Sequence, residues 1–375
     1  MKIGIFGGTF NPIHTEHVNI VNNAISELNL DKLLVLPTYI SPHKNTTPAP
    51  AEDRLNMVRL AFNNCDRVEV SDFEIKQGGK SYTYLTVEHF KKLYNAELYL
   101  IVGGDMLKDF KNWKYPDRIL NVSTLCVFNR EDWEGDFKKE KEYFQKEFNK
   151  EFVKLNYCPK PLSSTEIRIY NELGLSITEF TDNKVAEYIK NNNLYCGDKY
   201  SEFIKIHLTQ KRLIHTANVT VCALKKAHEL NLDYNKVKIS AMLHDCAKYI
   251  DYKSVKGFSP PIDMPEPVIH AFLGAFIAEK VLKIDDEEIL DAIKYHTSGK
   301  AKMTALSKLI FVADMVEKGR TYEGVETLRK SFIEKDIDTA FNECLSEEFI
   351  HLINRGGQIY VETLNAYDYY IKNKR

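Results

Sequence analysis

The chain has 375 residues, which is too long for one small core and predicts two domains. Its formal net charge is −2, so no global basic field indicates a nucleic-acid partner. No apolar run of about 18 residues is present, and we expect no membrane span. The first residues have the pattern of a strand, not of a signal peptide, and the seven cysteines include no CxxC pair. These features are typical of a cytoplasmic protein with reduced thiols.

The first half alternates strand and helix patterns along the chain. Strands are predicted at 2–6, 32–36, 68–70, 98–102, 125–128 and 152–155. Helices are predicted at 14–28, 53–62, 83–93 and 182–191. A variable surface helix or insertion is expected over 131–151. Strands separated by helices indicate an α/β domain with a parallel sheet, whose ligands bind beyond the carboxyl ends of the strands.

The strand signals largely end near Cys196-Gly197. Helical periodicity then covers 198–209, 211–230, 235–250, 266–282, 286–296, 303–318, 335–353 and 357–373. The proline-rich stretch 259–267 is predicted to be a loop. We therefore predict an α/β domain over 1–196 and an all-α domain over 197–375.

Glycines and histidines join the first predicted strand to the first helix in the segment GGTFNPIHTEH, residues 7–17. Gly7 and Gly8 let the backbone approach a ligand closely, and the helix start offers free N–H groups to an anion. His14 and His17 are three residues apart, so they share a helical face and can both donate hydrogen bonds to a polyphosphate. A glycine turn with two surface histidines is the alternative, which the combined spacing disfavours.

A second motif, SSTEIR, covers residues 163–168. Its hydroxyls precede a helix, and Arg168 lies in the first turn, an arrangement that can hold phosphates. Ser163 and Glu166 also form a capping-box pattern. Both roles are compatible, because a cap and a phosphate site can share one helix end.

The two motifs together resemble those of the bacterial nicotinate-nucleotide adenylyltransferases of the HxGH nucleotidyltransferase superfamily, over about residues 1–195. Four shorter matches support this: Pro42-His43-Lys44, Ser81-Tyr82-Thr83, Gly103-Gly104-Asp105 and Trp113. The resemblance implies a Rossmann-like fold and Mg²⁺-assisted transfer of an adenylyl group from ATP to nicotinate mononucleotide. Nicotinamide mononucleotide is the rival acceptor.

The resemblance also implies the site residues. Around the ATP phosphates it places Gly7, Gly8, Thr9, Phe10, His14, His17, Lys44, Ser164, Thr165 and Arg168. Among these, His14, His17, Lys44 and Arg168 would be catalytic. It also implies that Gly104 and Asp105 bind the nucleotide, with Asp105 facing the ribose. The nicotinate ring would lie between Thr83 and Trp113, with Trp113 stacking on it.

Two positions depart from the family pattern. Asn11 stands where Asp is common, which we expect to be harmless. Glu16 stands where the family has Gly, and a carboxylate near a triphosphate is electrostatically unfavourable. Its side chain would face either solvent or Mg²⁺, and we therefore expect replacement of Glu16 by Gly to be tolerated.

The all-α half contains six candidate metal ligands within or beside apolar helical stretches: His215, His244, Asp245, His270, His296 and Asp314. Any one of these histidines could be a hydrogen-bonded core residue. Buried separately, however, such groups are costly unless they are paired or metal-bound. Imidazole and carboxylate ligands suit Fe, Mn, Co or Zn, and Asp245 is suited to bridge two metals.

Four sequence segments in this half resemble motifs of the HD superfamily, and within it those of the symmetrical diadenosine tetraphosphate (Ap4A) hydrolases. The segments are RLIHT, LHDCAK, YHTSGK and VADMVEKGR. The resemblance covers about residues 197–375 and implies a di-iron centre that cleaves Ap4A into two ADP. It implies that one metal is held by His215, His244, Asp245 and Asp314, and the other by Asp245, His270 and His296. Lys248 and Arg320 would contact phosphate oxygens.

Two other interpretations of the second half remain open. It could be a degenerate HD domain that binds a nucleotide and regulates the first half. It could instead act on another nucleotide, such as a cyclic nucleotide or guanosine tetraphosphate. Because each half holds a complete predicted site, we expect two separable activities. Assembly into a homo-oligomer also stays open.

Overall fold

The structure is a computed structural model that describes residues 1–40, 49–128 and 134–372. It divides into two compact units. The first comprises Met1–Arg168 and Ile177–Tyr195, and the second comprises Ile169–Ser176 and Cys196–Arg375. The short segment 169–176 therefore belongs to the second unit, although its position in the sequence places it in the predicted first domain.

The first unit contains a parallel sheet of six strands in the order β3-β2-β1-β4-β5-β6. The strands are β1 Lys2–Gly8, β2 Lys32–Pro37, β3 Val68–Val70, β4 Glu97–Gly103, β5 Ser123–Phe128 and β6 Val153–Leu155. All six predicted strands are confirmed. The order reverses between β1 and β4, and such a switch point leaves a crevice at the carboxyl ends of the strands.

Helices connect the strands, as the alternating pattern predicted. They are α1 Thr15–Glu27, α2 Ala51–Ala61, α3 Phe73–Gln77, α4 Thr83–Tyr94, α5 Gly104–Asp109, α6 Pro116–Val122, α7 Glu134–Phe148, α8 Ser164–Glu172 and α9 Asn183–Asn191. The short helices α3, α5 and α6 were not predicted, because they have too few turns to show periodicity. The strands are apolar on both faces, as expected for a covered parallel sheet. Successive residues, which point to opposite faces, are buried at Leu33–Leu36, Leu100–Val102 and Leu125–Val127.

Beyond residue 196, the described residues of the second unit form helices joined by turns and loops, with no strand. Its helices are α10 Lys199–His207, α11 Gln210–Ala227, α12 Tyr234–Leu243, α13 Glu266–Lys280, α14 Glu287–Lys294, α15 Ala305–Val316, α16 Val325–Glu334, α17 Ile337–Arg355 and α18 Val361–Tyr370. Helix α16 was not predicted. Across the described residues, no helix has both the length and the apolar character needed to cross a membrane.

Helix α12 ends at Leu243, well before the predicted end at residue 250. The His244 ring nitrogen Nδ1 lies 2.6 Å from the Ala241 carbonyl oxygen, the acceptor that a continuing α-helix would offer to the Asp245 N–H. The backbone then continues in tighter turns, with Cys246 N–H donating to the Leu243 carbonyl at 3.0 Å. A candidate metal ligand thus ends the helix that carries it.

Candidate active sites

The loop after β1 crosses the end of the sheet in a tight conformation. A Cβ atom built on Gly8 would lie 2.8 Å from the Phe10 ring, so no larger residue fits there. Phe10 itself has a positive φ of 46°. The loop therefore presents backbone, with little side-chain bulk, to the crevice beyond the strand, as the sequence predicted for Gly7 and Gly8.

His14 and His17 lie together at the start of α1. Their rings are stacked, with centroids 3.5 Å apart. The His14 backbone N–H donates to His17 Nδ1 over 3.2 Å. Because Nδ1 accepts this bond, the proton of a neutral His17 ring lies on Nε2, which is then a donor. The predicted pair is thus brought together, with the tautomer of His17 set by the helix cap.

The SSTEIR motif contacts the loop that carries the histidines. Ser164 Oγ donates to the Pro12 carbonyl at 2.8 Å. Arg168 donates from Nη1 to the Asn11 carbonyl at 2.7 Å and from Nη2 to Thr165 Oγ1 at 3.0 Å. The two predicted phosphate motifs therefore meet, and their contacts fix the start of α8 against the residues that precede α1.

A cleft at the carboxyl ends of the strands brings together several of the other predicted residues. Its lining includes Gly7, Gly8, Thr9, Gly103, Thr83 and Trp113. Thr83 and Trp113 also line an adjoining cavity that contains Lys114, whose ammonium lies 4.4 Å from the centre of the Tyr82 ring. Gly104 and Asp105 begin α5 directly after β4. Lys44 falls in 41–48, outside the described residues, and its role stays a prediction.

Arg54 is a site residue that the sequence analysis missed. Its side chain is only 1% exposed. Its guanidinium donates to four backbone carbonyls around the strand ends, at distances of 2.6–3.0 Å, namely those of Thr9, Thr38, Tyr39 and Ala49. Arg54 therefore holds the loops after β1 and β2 in place. An arginine within the apolar pattern of α2 was the available signal.

Glu16 points neither to solvent nor toward the phosphate site. Only 5% of the residue is exposed. Its carboxylate accepts hydrogen bonds from the Tyr157 hydroxyl at 2.7 Å, the Lys160 backbone N–H at 2.9 Å and Asn19 Nδ2 at 3.1 Å. Glu16 thus anchors the segment that leads into the SSTEIR motif. The predicted direction of the Glu16 side chain, toward solvent or Mg²⁺, is therefore wrong. The geometry argues against tolerance of Gly here, because removing the carboxylate leaves its donors without their acceptor.

In the second unit, the predicted ligands form two groups that share Asp245. The first is His215, His244 and Asp245, and the second is Asp245, His270 and His296. Asp314 joins the first group, with Oδ1 2.9 Å from His215 Nε2. Asp245 is 2% exposed and directs Oδ2 to the first group and Oδ1 to the second, with Oδ1 lying 3.0 Å from His270 Nε2. The arrangement fits the predicted division of ligands between two ions.

The protonation pattern of the rings shows why this cluster suits metal ions. His244 Nδ1 faces the Ala241 carbonyl at 2.6 Å, and His296 Nδ1 faces the Ile293 carbonyl at 2.8 Å. A carbonyl can only accept, so each Nδ1 carries the proton and each Nε2 of a neutral ring has a lone pair. His215 Nε2 lies 3.4 Å from His244 Nε2, and His270 Nε2 lies 3.3 Å from His296 Nε2. Neutral rings with converging lone pairs are stabilised by a cation between them.

Burial and neighbouring charges shift the pKa values of several groups in the cluster. Burial lowers the pKa of His270 to about 4, so the ring is neutral near pH 7. Burial also lowers the pKa of His244. At His215 burial acts in the same direction, but the carboxylates of Asp314 and Glu317 outweigh it and raise the pKa. For Asp245, burial raises the pKa, but the imidazoles of His244, His270 and His296 outweigh it and hold the pKa well below its usual range. Neutral imidazoles and an ionised carboxylate are the forms that bind metal.

Three cations adjoin this cluster. Lys248 Nζ lies 3.1 Å from His270 Nε2. Arg320 forms an ion pair with the Asp314 carboxylate. Arg212, which the sequence analysis had quoted but not assigned, donates to Asp245 Oδ2 at 2.8 Å. All three are within reach of anionic groups at the cluster, although the phosphate contacts of Lys248 and Arg320 stay predictions.

Comparisons with known families agree with this two-part architecture. Residues 5–169 match the Cytidylyltransferase-like family, and residues 212–319 match the HD domain family. The fold and the two sites thus define a nucleotidyltransferase joined to an HD domain.

Individual relatives indicate more specifically which family the first part of the chain belongs to. A Clostridium tetani protein named "Probable nicotinate-nucleotide adenylyltransferase" is 39% identical over 197 residues, which are 52% of this chain and 98% of that protein. A Mycoplasma genitalium protein named "Probable nicotinate-nucleotide adenylyltransferase/Ap4A hydrolase" is 28% identical over 86% of this chain and 89% of its own length. This chain is an enzyme of the nicotinate-nucleotide adenylyltransferase family, and it carries an additional HD domain.

A solved structure is also similar to part of this chain. It is described as a predicted HD superfamily hydrolase involved in NAD metabolism from Clostridium acetobutylicum. It shares 31% identity with this chain, covers 47% of this chain and 97% of its own, and has a TM-score of 0.43.

Replacing Glu16 by Gly should destabilise the protein by about 1–3 kcal/mol, because buried donors lose their acceptor. It should also raise the KM for ATP, since the segment before α8 loses its anchor. Glu16→Gln keeps one acceptor oxygen and should be milder in both respects. Thermal unfolding and ATP titration of the two variants measure these effects. Wild-type stability and KM in the Gly variant would contradict the anchoring role.

Proposed function

We propose that the chain is a bifunctional enzyme. One activity transfers an adenylyl group from ATP to nicotinate mononucleotide, and the other cleaves Ap4A symmetrically to two ADP. We assign the first activity to residues 1–196 except for the segment 169–176, and the second to residues 197–375 together with that segment. Both activities use adenine nucleotides of the cytoplasm, where we place the protein.

The contact between the two phosphate motifs supports the transferase proposal most strongly. In the proposed reaction, a phosphate oxygen of nicotinate mononucleotide attacks the α-phosphorus of ATP. The bond from that phosphorus to the bridging oxygen breaks, and pyrophosphate leaves. His14, His17 and Arg168 stabilise the charge that develops on the phosphates, with Ser164, Thr165 and Lys44 holding the polyphosphate. Bound Mg²⁺ supplies further charge neutralisation.

The remaining transferase residues position the reactants. Gly7, Gly8, Thr9 and Phe10 shape the loop under the phosphates, and Gly104 with Asp105 faces the ribose. Thr83 and Trp113 frame the nicotinate ring. Since no covalent enzyme intermediate is required, the rate depends on holding the two substrates in line.

The converging histidines support the hydrolase proposal. We propose two metal ions, with iron as the native metal, held by His215, His244, Asp245 and Asp314 and by Asp245, His270 and His296. Metals bound there neutralise phosphate charge and lower the pKa of water to near 7. Lys248 and Arg320 would orient the polyphosphate through its anionic oxygens. The Ap4A hydrolase name of the Mycoplasma genitalium relative supports this substrate.

Replacing His17 by Ala should lower kcat for adenylyl transfer by roughly 10²–10³, because a hydrogen bond to the reacting phosphates is lost. The measurement is pyrophosphate release at saturating substrates. His228→Ala is a matched control, since His228 is an exposed residue of the second unit. Transfer at the wild-type rate by a folded His17→Ala variant would refute the assignment.

Nicotinate mononucleotide should be preferred over nicotinamide mononucleotide in kcat/KM. The cavity that adjoins Thr83 and Trp113 contains the Lys114 ammonium, which favours a carboxylate over a neutral amide. The acid-to-amide ratio should therefore fall in a Lys114→Gln variant. It should stay unchanged in Lys146→Gln, because Lys146 is not among the residues that line this cavity. Equal kcat/KM for both acceptors in the wild type would contradict the proposed substrate.

Changing both His244 and Asp245 to Ala in the full chain should abolish Ap4A cleavage, because the shared ligand and one further ligand are lost. Adenylyl transfer by the same preparation should stay near the wild-type rate. The full chain is preferable to a truncation near residue 196, since the segment 169–176 belongs to the second unit.

The double variant, a substrate panel and a metal analysis of the wild-type protein together distinguish the alternatives for the HD domain. Loss of both activities in a folded double variant would show that they are not separable. If the wild-type protein binds metal but cleaves only another nucleotide in a substrate panel, the proposed metal centre stands and that nucleotide replaces Ap4A as the proposed substrate. A wild-type protein without stoichiometric metal would favour a regulatory domain.

A further inference from the structure

Tyr170 contributes a buried hydroxyl to the second unit. It lies on α8, in the segment 169–176, and its ring is 8% exposed. The hydroxyl donates to Asn218 Oδ1 over 2.7 Å. Glu172 on the same segment forms an ion pair with Lys238 at 2.8 Å, which also belongs to this unit. The segment is thus held by specific polar contacts.

Asn218 connects Tyr170 to a candidate metal ligand. It lies on α11, three residues after His215 and therefore on the same face of the helix. Its side-chain amide lies beside the Glu317 carboxylate and contributes to lowering the pKa of Glu317. A Cβ atom built on Gly319 would lie 3.3 Å from Asn218 Nδ2 and 3.0 Å from both Glu317 carboxylate oxygens. Glu317 is itself buried, and its Oε1 lies 3.1 Å from His215 Nδ1. A series of neighbouring polar groups therefore runs from Tyr170 through Asn218 and Glu317 to His215.

The donors and acceptors in this series can be assigned in a consistent order for a neutral His215 ring. The Tyr170 hydroxyl donates to the amide oxygen of Asn218, so the amide nitrogen is the group that faces Glu317. A carboxylate only accepts, so it takes a proton from Asn218 Nδ2 and another from His215 Nδ1. With its proton on Nδ1, His215 presents the Nε2 lone pair to Asp314 and His244, at 2.9 and 3.4 Å.

We propose that Tyr170 is a positioning residue for the metal centre, acting through Asn218 and Glu317 on the orientation of His215. Without the hydroxyl, the Asn218 amide can rotate and turn its oxygen toward the Glu317 carboxylate, where two acceptors repel each other. The carboxylate then no longer fixes the ring of His215. Partners of this kind set the tautomer and direction of a ligating histidine. The inference rests on the proposed metal centre, and residues 197–375 alone lack this hydroxyl.

The test is a titration of the metal-free full chain with Co²⁺, followed by the visible absorbance of the bound ion and by competition with a chelator. Tyr170→Phe should weaken Co²⁺ binding at one of two sites by about 10–100-fold, the usual effect of removing such a partner. The other site, which uses His270 and His296, should keep its affinity. Reconstituted Tyr170→Phe protein at limiting metal should cleave Ap4A correspondingly more slowly.

Tyr370→Phe is the matched control. Tyr370 is equally buried in the second unit, and its hydroxyl accepts a hydrogen bond from the Met303 N–H at 2.6 Å. Its loss should lower stability without changing either Co²⁺ affinity. A purely structural role of Tyr170 predicts the same behaviour for both variants.

Asn218→Asp provides a second route if Tyr170→Phe folds poorly. Aspartate keeps an acceptor for the Tyr170 hydroxyl but loses the donor to Glu317, so it should weaken the same Co²⁺ site. The double variant should lose little more than the stronger single variant, because both changes break one series.

The outcomes separate this inference from the proposed function. Wild-type Co²⁺ affinity in folded Tyr170→Phe and Asn218→Asp proteins would overturn the positioning role and leave the metal centre intact. Failure of the wild-type chain to bind Co²⁺ would overturn the metal centre, and this inference with it.

Discussion

A buried charge needs a compensating partner, and this constraint shapes both sites of the protein. In the first unit, other groups of the protein compensate the buried charges. The Arg54 guanidinium is surrounded by backbone carbonyls, and the Glu16 carboxylate by three donors. Both side chains are thereby fixed, and each holds a loop that borders the crevice at the strand ends. The groups that border the crevice are therefore held in position by the buried charges of Arg54 and Glu16, which lie behind them.

In the second unit, the buried carboxylate of Asp245 is compensated in a different way. Three of the histidines around Asp245 direct Nδ1 to a protein acceptor: His244 and His296 to backbone carbonyls, and His215 to Glu317. In the neutral form of these rings, the Nε2 lone pairs point to the centre. The local backbone is adapted to this arrangement, since α12 ends where His244 takes the Ala241 carbonyl. A metal ion bound there would satisfy the lone pairs and the carboxylates together. Second-layer groups such as Glu317 then determine the direction of each ring.

Much of the fold could be predicted from the sequence because it depends on local patterns. The six strands and most of the helices followed from periodicity, and the candidate ligands from their residue types beside apolar stretches. The remainder depends on partners that are distant in the chain. Glu16 meets Tyr157 and Lys160 more than 140 residues later, and Tyr170 meets Asn218 across the change from α/β to helical sequence. No local pattern indicates such contacts, and the end of α12 depends on a side chain that competes with its own helix.

The most direct test of the account is anomalous diffraction from crystals of the full chain grown with its metal. The account predicts two metal peaks in the second unit, one beside His215, His244 and Asp314 and one beside His270 and His296, with Asp245 contacting both. A single peak, or histidine rings whose Nε2 atoms contact only protein groups, would contradict it.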